Sequence, residues 1–456
     1  MRRAGHIMLK LEDGIETRAP VHIDVLDGAR RPGGSIDGRG PVDRTILAQT
    51  TGLRAKRCFH AGACLHKVGA RHLAYDEVES ALGLERILSV QLAEPALADL
   101  VVAELRALDQ VEWAMVEPLM RAPLMLLDEA APARAGRLAT DAAFERVGAS
   151  VALAMEPGAR SVPVAVIDTG VALEHAEFAG RLRIGYDTVD LGMGSVAEGV
   201  ALIGDSLGRD FCARDETGHG SHVSGIIAAA GLSMPRGVGG LSPIIPIRAL
   251  AAAQAEPGVL FGVGGLSDID AAIKVAVDMG AKVLNMSFGT SKDEIDEEAP
   301  PPHSAALAYA IAHNCIPVAA MGNSGLDEDY YPAALPECIA VGSMSLDGGL
   351  SSFSTTCAHV ALCAPGENVL SAALDGYRES TGTSHAAPFV AGAAALLAAK
   401  AARFGHDLTM QEAHHALTAG AEPAWDGPND RTGAGMLNIP NALLVLERMM
   451  TDQEVT

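Results

Sequence analysis

Basic residues are scarce in this 456-residue chain: 34 Lys and Arg stand against 57 Asp and Glu, a net charge of −23. Affinity for a phosphate backbone or an anionic bilayer comes largely from Lys and Arg, so neither nucleic acid nor a membrane is an expected partner. Cysteine is also sparse. Seven residues (Cys58, Cys64, Cys212, Cys315, Cys338, Cys357 and Cys363) are an odd number spread thinly, which is no disulfide framework and fits a reducing, cytoplasmic setting. A long apolar run is missing at the start, where Lys10, Glu12 and Asp13 interrupt before any signal-peptide core could form. No secretory leader is visible, and export without one is left open. The most apolar late stretch, Phe389 to Lys400, is too short to span a bilayer and follows a proline, as a buried core helix would.

What is present is length and glycine. The chain is near three times the roughly 150-residue domain prior, enough for one large domain and a smaller one. Residues 1–45 hold Gly28-Ala29-Arg30-Arg31-Pro32-Gly33-Gly34 and Gly38-Arg39-Gly40-Pro41 and are expected to form a flexible arm. From Arg86 the pattern predicts strand, helix and strand: Ile87, Val90 and Leu92; then Leu97, Leu100, Val101, Leu105 and Leu108; then Val111, Trp113 and Met115. A small α+β domain over 46–122 follows, then an exposed linker over 123–140. From 141 to 448, short apolar runs (Val162–Ile167, Lys282–Met286, Ile316–Ala320, Cys338–Val341, Val360–Cys363) alternate with helical stretches (His222–Ala230, Asp268–Met279, Ser304–His313, Ser384–Ala402). That alternation predicts an α/β domain with a mainly parallel sheet covered by helices on both faces, and 449–456 is read as a tail.

Three segments stand out. Val164-Ala165-Val166-Ile167-Asp168-Thr169-Gly170 is a buried strand ending in a carboxylate. Thr217-Gly218-His219-Gly220-Ser221-His222 opens a helix, and Gly382-Thr383-Ser384-His385-Ala386-Ala387-Pro388 opens the apolar one. Each alone reads as a turn, a cap or an N-terminal helix signal. Together they supply a hydroxyl, an imidazole to take its proton, and a buried carboxylate to fix the imidazole's tautomer. A fourth segment, Met321-Gly322-Asn323-Ser324, places an amide where a carbonyl oxygen would become negative.

These segments, in this order, resemble the subtilisin-like serine proteases, whose known chain order is Asp, His, Ser. The resemblance covers about 140–447 and closes with Gly433-Ala434-Gly435-Met436-Leu437-Asn438. It implies an endopeptidase working through an acyl-enzyme. In it Asp168 orients, His219 is general base and then acid, Ser384 attacks, and Asn323 with the Ser384 backbone N–H forms the oxyanion hole. Asn285-Met286-Ser287-Phe288-Gly289 resembles the edge strand that pairs with extended peptide, so Ser287, Phe288 and Gly289 are expected to bind substrate, with Asp329 and Tyr330 near the S1 pocket. The unit ending in Val116-Glu117-Pro118 resembles the family's inhibitory propeptide, so 46–122 is expected to cap the site as an intramolecular inhibitor, with self-cleavage in the linker after Arg134 or Arg137. A dedicated maturation protease, a transpeptidase and a silent peptide-binding scaffold share these motifs.

Departures matter as well. His385 replaces the Met that usually follows the nucleophile and is read, with His222, as structural. Leu232 to Val238 replaces a segment that binds calcium in many relatives and carries no carboxylate, so no cofactor is expected; calcium as a structural ion has no recognisable loop. Cys58, His60, Cys64 and His66 have zinc-ligand chemistry but no spacing that specifies a site. Two acidic runs, Lys292 to Glu298 and Asp327-Glu328-Asp329, predict a preference for basic residues near P1 if they face the cleft.

Overall fold

The computed structural model describes residues 1–21, 33–62, 74–122, 141–207, 210–256, 259–425 and 427–453. The expected linker, with Arg134 and Arg137, lies outside them, as do Cys64 and His66.

The N-terminal unit is a sheet with two helices packed on one face. Its strands are β1 (Arg2–Leu11), β2 (Leu53–Arg57), β3 (Ile87–Leu92) and β4 (Val111–Arg121), paired antiparallel in the order β2-β3-β1-β4. The helices Pro41–Gln49 and Ala98–Leu105 contribute Val42, Ile46, Val101, Val102 and Leu105 to a core shared with Ile7, Leu9 and Leu11. The described residues of 1–45 are therefore not an arm, and 22–32 lie outside them. β1 sits at the centre of the sheet, pairing Ile7 with Val90 on one side and Val116 on the other. Its interspersed Arg, His and Lys hide the apolar register from a composition-based reading; Arg3 is nevertheless buried, because Glu117 pairs with it at 3.0 Å. Farther along, Asp37 and Asp43 organise the glycine-rich turn, accepting the backbone N–H groups of Gly40 and Val42 and of Ile36 and Arg39 respectively.

The larger unit is built on a seven-stranded parallel sheet. In chain order its strands are β5 (Val164–Asp168), β6 (Tyr186–Asp187), β9 (Ile244–Arg248), β12 (Val283–Met286), β14 (Ile316–Ala320), β16 (Ile339–Met344) and β17 (Leu362–Pro365), arranged β17-β16-β14-β12-β5-β9-β6. The strands are buried on both faces, as continuous Val, Ile and Ala runs require. Helices His219–Ala228 and Thr383–Arg403 pack in one of two large core clusters and Leu266–Asp278 and Ser304–Ala312 in the other. Helix Thr383–Arg403 is long and apolar enough to cross a membrane, but its most apolar window is 89 % buried within the protein. The expected tail is helical to Gln453, because Ile439–Gln453 puts Leu443, Leu446 and Met450 into the core.

Four further strands, β7 (Ser195–Ala197), β8 (Val200–Ile203), β10 (Ala251–Glu256) and β11 (Val259–Gly265), extend the N-terminal sheet into one of eight strands, β2-β3-β1-β4-β11-β10-β8-β7. β4 thus joins the two units. The joint is also ionic. Lys274, on the helix Leu266–Asp278, meets Glu79 at 2.6 Å and Asp278 at 2.8 Å; His60 meets Asp278 at 2.9 Å. Glu117 accepts the backbone N–H of Ser267 at 2.9 Å, stabilising that helix's N-terminus from the other unit.

Candidate active site

Asp168 closes β5 at the carboxyl end of the sheet, where crevices of α/β folds form. Its side chain is fully buried, and one oxygen accepts the Thr169 N–H at 2.7 Å. The same oxygen lies 2.7 Å from Nδ1 of His219, the first residue of helix His219–Ala228. This close approach needs Gly220: a Cβ there would stand 2.1 Å from the Gly170 carbonyl oxygen. Burial pushes the His219 pKa down, but the Asp168 charge and hydrogen bond outweigh it and leave the imidazole above its ordinary value. Nε2 of His219 is buried with no hydrogen-bond partner.

Ser384 occupies the first turn of Thr383–Arg403. Its hydroxyl donates to the Ser287 carbonyl at 3.2 Å, and the Ser287 hydroxyl donates to the Ser384 carbonyl at 3.0 Å. That second bond follows from Pro388. Lacking an N–H, it leaves the carbonyl four residues earlier without its helical donor. Asn323 follows β14 on a turn. Its side-chain oxygen accepts the Thr383 N–H at 2.8 Å and the Thr383 hydroxyl at 2.9 Å, which leaves the amide nitrogen available to face an incoming group. Asp168, His219, Ser384 and Asn323 are thus carried by four elements meeting at one end of the parallel sheet.

Two edges meet the end of β4. Gly289 exchanges backbone hydrogen bonds with Arg121, at 3.0 and 3.2 Å, while β11 pairs antiparallel with β4 through Val263–Arg121, Gly264–Met120 and Gly265–Leu119. The Ala122 N–H continues to Gly262 at 3.0 Å. Leu119 to Ala122 therefore run as the middle strand between these edges. Ser287 and Gly289 contribute backbone here, whereas the Phe288 ring is fully buried in the core. Gly289 tolerates no Cβ, which would lie 2.3 Å from the Tyr331 carbonyl oxygen and 2.4 Å from the Tyr330 ring. Tyr330 walls the space between Gly289 and Gly322. Asp329 points away toward Lys292 (3.4 Å), Cys357 and His359. From the other acidic run, Glu294 pairs with Arg121 at 3.1 Å, and Asp296 and Glu298 pair with Arg106.

His385 packs edge-on against His222 with ring centroids 4.4 Å apart, and lies 5.8 Å from His219. Burial lowers the pKa of both rings, His222 to about 3 and His385 well below its ordinary value. His222 Nε2 faces the Val369 and Arg378 carbonyls, anchoring the hairpin of β18 (Val369–Ala372) and β19 (Tyr377–Ser380). In the loop from Gly231 to Ser233 a carboxylate comes from elsewhere in the chain: Glu177 accepts the N–H groups of Gly231, Leu232 and Ser233 and the Tyr377 hydroxyl.

Asp215 and the β11 edge were not legible as site residues. Asp215 accepts the backbone N–H groups of Thr217, Gly218 and Ser221 and the hydroxyls of Thr169 and Ser221, which fixes the turn that delivers His219. Its sequence signal is the Asx-turn spacing before Thr217-Gly218. For the edge, the signal is the run Gly262-Val263-Gly264-Gly265, which lets another backbone approach.

The fold and this constellation define a hydrolase-type site with a buried carboxylate–imidazole pair beside a serine. A family model for the subtilases matches residues 159–435, more than half of the chain. The chain belongs to the subtilase family of serine proteases. It is 36 % identical over 244 residues to a thermophilic serine proteinase of Bacillus sp. (strain AK1), covering 53 % of each chain. It is 32 % identical over 303 residues to an intracellular serine protease of Paenibacillus polymyxa, covering 65 % of this chain and 84 % of that one. To thermitase of Thermoactinomyces vulgaris it is 32 % identical over 238 residues, 52 % of this chain and 75 % of that one. The chain spans about half the length of the first of these relatives.

Proposed function

We propose that the protein is a serine endopeptidase in which Asp168, His219 and Ser384 act as a triad and its own N-terminal unit occupies the cleft. The observation that carries this reading is the strand Leu119–Ala122, paired with β11 on one side and through Arg121 with Gly289 on the other, two residues after the Ser287 that bonds Ser384, where an extended substrate would add as a strand. In the reaction the Ser384 hydroxyl leaves the Ser287 carbonyl and turns to the unpartnered Nε2 of His219. As its proton passes to that nitrogen, Oγ bonds to the substrate carbonyl carbon. The oxyanion is met by the Asn323 amide and the Ser384 N–H. His219 then returns the proton to the departing amine, the C–N bond breaks, and water repeats the sequence to free the acid.

Glu294 beside Arg121 supports a preference for a basic side chain close to the scissile bond. Self-cleavage within 123–140, after Arg134 or Arg137, would then release the inhibitor. Six free cysteines among the described residues, and the intracellular serine protease among the relatives, support action in a reducing compartment. Mass spectrometry of the purified chain beside Ser384→Ala tests the reading: trimming in 123–140 is expected in the wild type and not in the variant, and equal trimming of both would refute self-processing.

A further inference from the structure

Away from the serine, Asp329, Cys357 and His359 come together on two neighbouring loops. Their ligand-type atoms all lie within 4.8 Å of one another. Cys357 Sγ is 3.5 Å and His359 Nδ1 3.6 Å from the same oxygen, Asp329 Oδ1. A tetrahedral zinc ion, with bonds of about 2.3 Å to sulfur and about 2.0–2.2 Å to nitrogen and oxygen, holds such pairs of ligand atoms about 3.3–3.6 Å apart. The two separations from Asp329 Oδ1 thus fall at the upper end of that range.

We propose that Asp329, Cys357 and His359 bind a divalent transition-metal ion of the zinc type, with water as the fourth ligand. The loops that present them are fixed to each other by backbone: the Glu328 N–H bonds the Thr356 carbonyl at 3.0 Å, and the Thr356 N–H the Leu326 carbonyl at 2.9 Å. The ligands therefore need little ordering on binding. His359 makes its one polar contact among the described residues with Asp329, while its Nε2 is buried without a partner. Binding of the ion releases the Cys357 thiol proton to solvent. Lys292, 3.4 Å from the other Asp329 oxygen, leaves Oδ1 free for the ion. A thiolate and an imidazole select zinc or cobalt over calcium or magnesium. The site also adjoins the cleft, since β13 (Thr290–Ser291), directly after Gly289, pairs with β15 (Tyr330–Tyr331), directly after Asp329. Metal binding at these three residues requires no proteolytic activity.

The test is titration of the full chain with Co²⁺, followed by its displacement with Zn²⁺. A thiolate-to-cobalt charge-transfer band at one equivalent is expected, lost on Cys357→Ser and weakened at least about tenfold in affinity by His359→Ala. Cys212→Ser, at an exposed cysteine, and Cys64→Ser should leave it intact. Zn²⁺ should raise the melting temperature of the wild type but not of folded His359→Ala, a readout that stands even if Cys357→Ser does not fold. No band and no thermal shift, or a band that survives Cys357→Ser or vanishes with Cys64→Ser, would overturn the proposal.

Discussion

Among single residues, the proposed chemistry turns on which nitrogen of His219 is free. Nδ1 is held by Asp168, so the proton sits on that side and Nε2 keeps its lone pair toward the cleft. Because Asp168 raises the His219 pKa, the imidazole is neutral and able to act as a base only above its ordinary value of 6.5. The acid limb of kcat/KM should therefore have its midpoint above 6.5. Asp168→Asn should move that midpoint down and cut kcat by about 10⁴, the size already known when a triad aspartate is lost; a pH–rate profile of both proteins checks it. Asn323→Ala should lower kcat by about 10²–10³ with little change in KM, the effect already known for the equivalent donor in a subtilisin. His385→Met should leave the profile almost unmoved, because the ring it replaces is neutral and has no hydrogen bond to His219.

Elements explain why these residues meet. Pro388 frees the Ser384 carbonyl for Ser287, Gly220 lets helix His219–Ala228 start against Gly170, and Asp215 ties the preceding turn. Asp215→Ala leaves several buried N–H groups unpaired and should cost about 1–3 kcal/mol of stability, read by denaturant unfolding. Much of this level was legible in the sequence. Continuous apolar runs gave five of the seven parallel strands to within a few residues, and motif residues marked the turns beyond β5 and β14 and at the helix that carries Ser384. β6 and β9 were missed, the first for its two-residue length and the second because Pro246 and Arg248 interrupt its apolar pattern; Arg248 is buried against Asp187 at 2.5 Å and Glu216 at 3.0 Å. β1 was missed for the same reason, a charged residue whose partner lies over a hundred positions away. Pairing of that kind is a property of the fold and has no local signature.

Over the whole molecule, two units share one sheet, with β4 as the strand that is both the N-terminal unit's edge and the partner of β11 and Gly289. Docking is ionic as well as apolar. Truncating one member of a buried pair leaves the other charge uncompensated, at about 3–5 kcal/mol. Glu117→Ala, which removes the paired carboxylate of Arg3 and the acceptor of the Ser267 N–H, should therefore loosen the N-terminal unit, seen as faster hydrogen exchange in Val111–Arg121. Acid should do the same. Burial lowers the His60 pKa, so the docked form binds fewer protons than a form with His60 in water. That contribution is complete above about 6.5 and is lost as pH falls through and below that value, while His60→Gln should flatten the dependence.

The central claim, a nucleophilic Ser384 activated by His219 in a cleft covered by the chain's own strand, is met most directly by labelling with a fluorophosphonate probe and locating the adduct by peptide mass spectrometry. The account predicts a single adduct on Ser384, formed faster once the chain is cut within 123–140, and none in Ser384→Ala. An adduct that persists in Ser384→Ala, or a cut chain that does not react, would contradict it.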